Sequence, residues 1–341
     1  MTARVRLAVL AGVVLLAVMA ATGYVLRARH LQGKVEAAPL VPRTDLAAVV
    51  NGPHLVFRNT ALGDGYGRVA VVPVSSPAGP RAVTPASCER VYATTDRAVC
   101  LSARRGITNT YRAQVLGRDW APVGDLPLAG LPSRARLSRD GSLVATTTFV
   151  YGDSYAQPGQ FSTRTLVIPV DRGASADLEQ FRLLVDGRRV TAADRNVWGV
   201  TFVDDDRFYA TAASGGRTWL VEGSLSARRM TAVRGDVECP SLSPDGTRIG
   251  FKKRGKLPAG QWRLAVYDLT TGKETVLAEN RSVDDQVEWL DNATVVYGLP
   301  RTDETGVATS DIWAVPADGS GAPRVLVPHA WSPAVVNRDS S

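Results

Sequence analysis

One pattern restricts this chain more than any other: a short apolar strand, a tight polar turn and a second apolar strand recur along it at a near-constant interval. "PSLSPDGTRIGF" at 240 to 251 aligns without gaps with "ARLSRDGSLVAT" at 135 to 146, "GVTFVDDDRFYA" at 199 to 210 and "QVEWLDNATVVY" at 286 to 297. Each copy is followed by a third and a fourth strand, as in "WRLAVYDLTTGKETVLAE" at 262 to 279, "TRTLVIPVDRGASADLEQFRLL" at 163 to 184, "RTWLVEGSLSARRMTAV" at 217 to 233 and "SDIWAVPADGSGAPRVLV" at 310 to 327. Two weaker copies lie upstream, "CERVYATTDRAVCLS" at 88 to 102 with "TYRAQVLGRDWAPVGDLPL" at 110 to 128, and "HLVFRN" at 54 to 59 with "GRVAVVPVSSPAGPRAVTP" at 67 to 85. A repeat of this kind cannot bury its apolar faces alone and must stack on its neighbours. A four-stranded unit averaging roughly the high forties of residues suits a propeller blade.

Six copies fill the stretch from 52 to 338, and the first lacks an opening strand before His54. After the sixth copy comes "AWSPAVV" at 330 to 336, an opening strand with no blade behind it. The fold expected is therefore an all-β, six-bladed β-propeller closed by that C-terminal strand in the first blade. Closure removes exposed sheet edges, which are otherwise an aggregation liability. On these residues the chain resembles the TolB-type propellers, a repeat also seen in the propeller domains of prolyl-oligopeptidase relatives. The likeness is carried by "PSLSPDGTRIGF" followed by "LAVYDLTTG"; it is good over one blade, fair over three others and faint in the first two. The whole chain is similar to actinobacterial envelope proteins labelled TolB-like. That resemblance implies an envelope location and protein contacts, and it implies no activity.

Ahead of the repeats, Arg4 and Arg6 precede an uncharged run from Leu7 to Leu26, which Arg27 and Arg29 follow. The run is long enough to cross a bilayer as a helix. A cleavable signal peptide also has a basic start and an apolar middle. Here the small-x-small match at Ala21, Thr22 and Gly23 is loose, and the apolar run continues through Val25 and Leu26. We therefore read 1–30 as an uncleaved transmembrane signal anchor, 31–51 as a linker and 52–338 as the propeller, with secretion after cleavage as the alternative. Basic residues flank both ends, so the expected orientation, with the propeller outside the cytoplasmic membrane, is only weakly set by charge. Part of the net charge of +7 sits beside this segment, where it would meet anionic headgroups. The remainder is mixed with acidic residues and forms no basic stripe interleaved with aromatics, which argues against a nucleic-acid partner.

Catalytic signatures are scarce. No Gly-x-Ser-x-Gly elbow occurs, and the histidines are His30, His54 and His329. His54 and His329 would approach each other if the ring closes as expected, yet they read as ordinary histidines rather than a catalytic pair. There is no CxxC, HExxH or complete EF-hand loop, so no cofactor is expected, a divalent cation in the channel being the alternative. The run Asp204, Asp205, Asp206 falls on a hairpin turn, where carboxylates solvate and bond their own backbone.

Blade topology sorts the loops onto two faces. The hairpins "SPDG", "SRDG", "LTTG" and "ADGSG" are tight, whereas the loops at 59–66, 103–109, 150–160, 252–261 and 299–309 are long and lie where innermost strands begin. Long loops on a rigid scaffold are where binding residues usually sit. At the channel mouth on that face we place Arg90, Arg134, Asn196, Trp198, Glu238, Asp284 and Asp285. The functional reading is a polar pocket for a peptide terminus, a glycan or a divalent ion; the plain reading is a water-filled channel whose charges cancel. Tyr151, Tyr155, Phe161 and Trp262 form an interaction surface or pack the loops down, and Lys252, Lys253 and Arg254 enter one of the long loops. Cys88 begins one strand and Cys100 ends the next, so the two are expected to form a disulfide, fitting an oxidising exterior and stabilising by about 3 kcal/mol. Cys239 is left as a buried small hydrophobe. The function expected is a non-catalytic, membrane-tethered cell-envelope scaffold that binds a protein or a glycan. The alternative is a channel-site enzyme, of lactonase, lyase or glycan-hydrolase type, using Asp284, Asp285 and Glu238. Convergence of those carboxylates would favour the enzyme, and pairing with Arg90 or Arg134 would weigh against it.

Overall fold

The computed structural model describes residues 3–36, 41–104, 109–128, 130–152, 160–171, 173–302 and 306–337; Tyr155 lies outside them. Six sheets follow one another around a ring. Blade 1 is ordered Ala330–Val336, His54–Asn59, Arg68–Pro73, Ala82–Ser87 from the centre outwards. The C-terminal strand is thus innermost in the first blade, pairing antiparallel with His54–Asn59, Leu55 opposite Val335 and Arg58 opposite Trp331. Arg81 fastens its approach: the guanidinium donates to Asn59 Oδ1 at 2.7 Å and to the carbonyls of Pro328 at 2.9 Å and His329 at 3.1 Å. Burial lowers the pKa of Arg81 to about 10.

Blades 2, 3, 5 and 6 each start from an innermost strand, at Arg90–Ala93, Leu131–Leu137, Glu238–Leu242 and Glu288–Trp289 respectively. Alternation places every second residue of a strand on the same sheet face, and the apolar ones meet across neighbouring blades. Six of the seven apolar clusters among the described residues are these blade interfaces, for example Val99, Leu101 and Val115 of blade 2 against Leu137 and Val144 of blade 3. Each such side chain taken wholly out of water contributes about 1.5–3 kcal/mol. The seventh cluster belongs to no single interface and is taken up below.

Turn chemistry holds the hairpins. Asp245 Oδ1 accepts from Ser243 Oγ at 2.5 Å and from Thr247 N–H at 3.0 Å, while Gly246 adopts φ +71°. Burial works against the Asp245 charge, but Ser243 and Thr247 hold its carboxyl down to about 2. Asp204 Oδ1 likewise accepts from the N–H groups of Asp206 and Arg207, so the triple-Asp run is a turn. At Gly199, φ is +65° and a Cβ would come within 2.7 Å of Cys239 Cα. The innermost strands of blades 4 and 5 can approach this closely only with glycine there.

Three features differ from expectation. The segment 163–184 does not supply both outer strands of blade 3: that blade ends in Ala176–Asp177, and Arg182–Val185 crosses to blade 4. Asp177 caps the 3-10 turn Leu178–Gln180, which redirects the chain and buries Leu178, Phe181 and Leu183 between the blades. Arg182–Val185 then pairs parallel with Arg229–Gly235 and antiparallel with Arg188–Arg189, making blade 4 six-stranded behind its innermost strand Asn196–Phe202. Second, the linker is partly structured. The N-terminal helix runs Ala3–Glu36, and within 41–51 Thr44 N–H bonds Arg81 O while the short helix Leu46–Val49 buries Val49 against blades 1 and 2. The segment Arg4–His30 is long and apolar enough to cross a membrane, and none of it is buried against the rest of the protein. Third, Cys100 lies inside its strand Ala98–Arg104, opposite Val91, rather than at its end. It still forms the expected disulfide with Cys88, with the Cα atoms 5.3 Å apart.

Candidate functional site

The structure divides the expected mouth residues into two groups. Arg90, Arg134, Asp284 and Asp285 stand around the channel axis. Arg90 Nη1 lies 3.1 Å from Asp285 Oδ1, and Asp285 Oδ2 also accepts from Gly298 N–H at 3.0 Å. Arg134 Nη2 is 3.6 Å from Asp284 Oδ1, which also pairs with Lys252 Nζ. Burial works against the Asp284 charge, yet Lys252 and Arg134 hold its carboxyl down to about 2. Charge matching leaves little room: the cavity between Arg90, Arg134 and Asp285 is about 20 Å³.

Immediately beneath this mouth the channel is plugged. Arg136, from the innermost strand of blade 3, pairs with Glu288 of blade 6, donates to Ser241 Oγ of blade 5 at 3.2 Å and to Val287 O at 3.3 Å, and lies 4.5 Å from the ring centre of Tyr92 in blade 2. Burial works against the Arg136 charge, but Glu288 and Tyr92 raise its pKa further above the ordinary value. Burial, followed by Glu288, pushes the Tyr92 hydroxyl up to about 12. Four blades are thus tied through one guanidinium. Beyond the plug, a cavity of about 360 Å³ opens on the hairpin face, lined by Thr94, Arg139, Pro244 and Asp245 among others.

Asn196, Trp198 and Glu238 sit off the axis, on the loop-bearing face. Here the seventh apolar cluster, Phe149, Trp198, Cys239 and Trp262 with Phe161 packed against it, spans blades 3, 4 and 5. Phe161 meets Trp198 edge-on with ring centres 5.6 Å apart. Beside these rings opens a pocket of about 230 Å³, with Phe161, Asn196, Trp198, Glu238 and Trp262 in its wall and Arg217 and Arg254 at its rim. Trp262 Nε1–H donates to Glu238 Oε1 at 2.8 Å, and Lys252 Nζ lies 4.0 Å from Glu238 Oε2 and 3.9 Å from the Trp262 ring centre. Burial raises the Glu238 carboxyl above its ordinary range, against Lys252 and the Trp262 bond. Asn196 is fixed by blade 3: its Oδ1 accepts from Thr163 N–H at 2.7 Å.

Of the aromatic loop residues, Phe161 and Trp262 pack inward, whereas Tyr151 is 71% exposed. Cys239 is buried in the same cluster with φ +51°, and its N–H donates to Thr211 Oγ1 at 2.9 Å. The closed ring does not bring His54 and His329 together. His54 pairs with Val336 at one end of the closing strand, and His329 precedes the other end, where its carbonyl accepts from Thr60 N–H. Six strand residues, about 20 Å, separate them. Among the described residues, no group of three or more His, Cys, Asp or Glu side chains is placed to hold a metal ion.

Sequence reasoning missed the Arg136–Glu288 plug. In the gapless alignment Arg136 stands with Ser241 and Val287, one residue before Glu288. Only the strand register brings the three to one level, Arg136 opposite Ala145, Ser241 opposite Gly250 and Glu288 opposite Val296.

No protein-family model matches the chain, and no curated protein matches its sequence. Solved structures match in fold. TolB from Acinetobacter baumannii is 15% identical with a TM-score of 0.57, the match covering 85% of this chain and 67% of that one. A chain of a nidogen/laminin complex is 12% identical with a TM-score of 0.52, over 83% of this chain and 98% of its own. At such identities the likeness is one of fold, and it agrees with the six-bladed ring.

Proposed function

We propose that this chain is a non-catalytic binding module of the cell envelope, tethered to the cytoplasmic membrane by its N-terminal helix, which takes a segment of protein or glycan on its loop-bearing face. One observation carries the reading: the apolar cluster that belongs to no single blade interface lines an open pocket, beside Asn196 and Glu238. Aromatic edges with a few fixed polar groups suit a sugar ring or a side chain that presents one apolar and one polar side. Two of the three carboxylates expected of a channel enzyme, Asp284 and Asp285, are instead taken up by Arg90, Arg134 and Lys252. The helix Arg4–His30 and the disulfide fit a tethered domain in an oxidising exterior, and secretion after cleavage is the other placement they allow.

Photocrosslinking in intact cells tests this. A crosslinker at Arg217 or Arg254 should give adducts with an envelope protein or glycan, and one at Asp245 on the hairpin face should give none of them. Equal labelling from both faces, or capture confined to cytosolic proteins, would overturn the proposal. A second reading rests on Glu238, a carboxyl of raised pKa in the wall of an open pocket, which suits a general acid. Under that reading Glu238→Gln prolongs the life of a captured ligand, whereas a binding module loses adducts or keeps them unchanged.

A further inference from the structure

The two strands that the insertion adds to blade 4 carry Arg182, Arg188 and Arg189, and the strand they join carries Arg229, with Arg228 just before it. All of these arginines are exposed, and none of them forms an ion pair with a described residue. Arg182 is the direct cross-strand partner of Arg229, and Arg189 stands opposite Leu184, two residues beyond Arg182 on the same sheet face. With strands about 4.8 Å apart and a rise of about 3.3 Å per residue, Arg182, Arg189 and Arg229 emerge within about 12 Å of one another. Arg228 flanks them, its guanidinium 5.1 Å from the Phe181 ring centre. The acidic side chains on and beside these strands are Asp186 at the hairpin tip, Glu222 opposite Thr231, and Asp206, which bonds Ser224 and Ser226 in the turn before Arg228; five arginines outnumber them and leave the ridge positive.

Like charges placed directly opposite in a sheet destabilise it. An anion that spans Arg182 and Arg229 removes that cost, and guanidinium groups bind carboxylate and phosphate through paired hydrogen bonds. We propose that this ridge is a docking site for a linear polyanion bearing phosphate or carboxylate groups. It is separate from the aromatic pocket and does not depend on what that pocket binds. The bilayer that holds the helix is not the partner. The chain reaches the propeller beside Arg81, at the outer side of blade 1, and blade 4 lies diametrically across the ring. This step alone rests on the anchor reading.

The test uses the full chain in nanodiscs of uncharged lipid, with polyphosphate and polygalacturonate as probes. Binding to either supports the proposal, and which one binds identifies the anion. Arg182→Glu/Arg189→Glu/Arg229→Glu should weaken it by at least about tenfold and flatten its dependence on salt by about three contacts. Arg68→Glu/Arg104→Glu/Arg324→Glu, the same change in net charge on blades 1, 2 and 6, should change it by less than about threefold. Glutamates keep the sheet edge charged and so protected against pairing, and an Arg→Gln triple at the ridge should fall between the wild type and the Glu triple. Equal loss in the two Glu triples, no binding by the wild type near physiological salt, or displacement of the polymers by anionic lipid vesicles would overturn the proposal.

Discussion

The channel mouth and the aromatic pocket share one face and one lysine, yet they resolve their charges in opposite ways. At the mouth, Asp284 and Asp285 meet Arg90, Arg134 and Lys252. At the pocket, Glu238 shares Lys252 only at 4.0 Å and keeps a raised pKa, with an indole N–H as its close partner. Charged residues gathered on a ring axis can thus be structural, each group stabilising the next. The open pocket lies instead beside an apolar cluster that belongs to no single blade interface.

The comparison breaks most sharply at the plug below the mouth. Arg136→Met leaves Glu288 buried without its cation and should cost about 3–5 kcal/mol, read as a large fall in the melting temperature of the detergent-solubilised full chain. Adding Glu288→Gln should recover most of that loss; a single variant as stable as wild type would show that the plug is not held by its charges. Cys88→Ser/Cys100→Ser, on the mouth side beside Arg90, should cost about 3 kcal/mol and leave ligand capture at the pocket unchanged. On the pocket side, Trp262→Phe removes the N–H bond to Glu238 while keeping an aromatic ring. It should cost about 1–3 kcal/mol and move the Glu238 titration upward, followed through the fluorescence of the remaining tryptophans.

The last effect, spread over several pH units, concerns Glu179, beneath the pocket, which accepts from Thr165 N–H at 2.9 Å in blade 3 and from Val197 N–H at 3.2 Å in blade 4. Burial pushes its carboxyl up to about 8 from an ordinary 4.5. The folded protein therefore retains this proton where the unfolded chain has lost it. The resulting stabilisation is full below about pH 4.5 and is lost as pH rises through about 8. Denaturation at a series of pH values should show this decline, and Glu179→Gln should flatten it; a decline that persists in the variant would remove Glu179 as its cause.

Local chemistry was the legible part. "SPDG" and "SRDG" announce turns because Ser, Asp and Gly close them within a few residues, and the gap before His54 matched "AWSPAVV" because a ring must close. The crossing of Arg182–Val185 to blade 4 was harder, since "FRLL" alternates suitably for the edge of either blade. The Asp177 cap and the burial of Phe181 decide between them. Even so, Asp186 and Gly187, with φ of 49° and 74°, are a two-residue hairpin signal that stands in the sequence. The division of the site was not legible. Whether Asp284 meets Lys252 or an ion depends on how far two neighbouring blades lean together, and no spacing along the chain records that.

The closing strand also sets an order of events. Ala330–Val336 is synthesised after every other strand of the ring, yet it lies between the channel and His54–Asn59, which is synthesised before them. Until it arrives, blade 1 presents a bare inner edge, and no arrangement of the preceding strands completes the circle. Contacts this distant along the chain form late and slowly. A chain interrupted just before Ala330 therefore carries nearly all of the propeller's core and still an open, sticky strand at its heart.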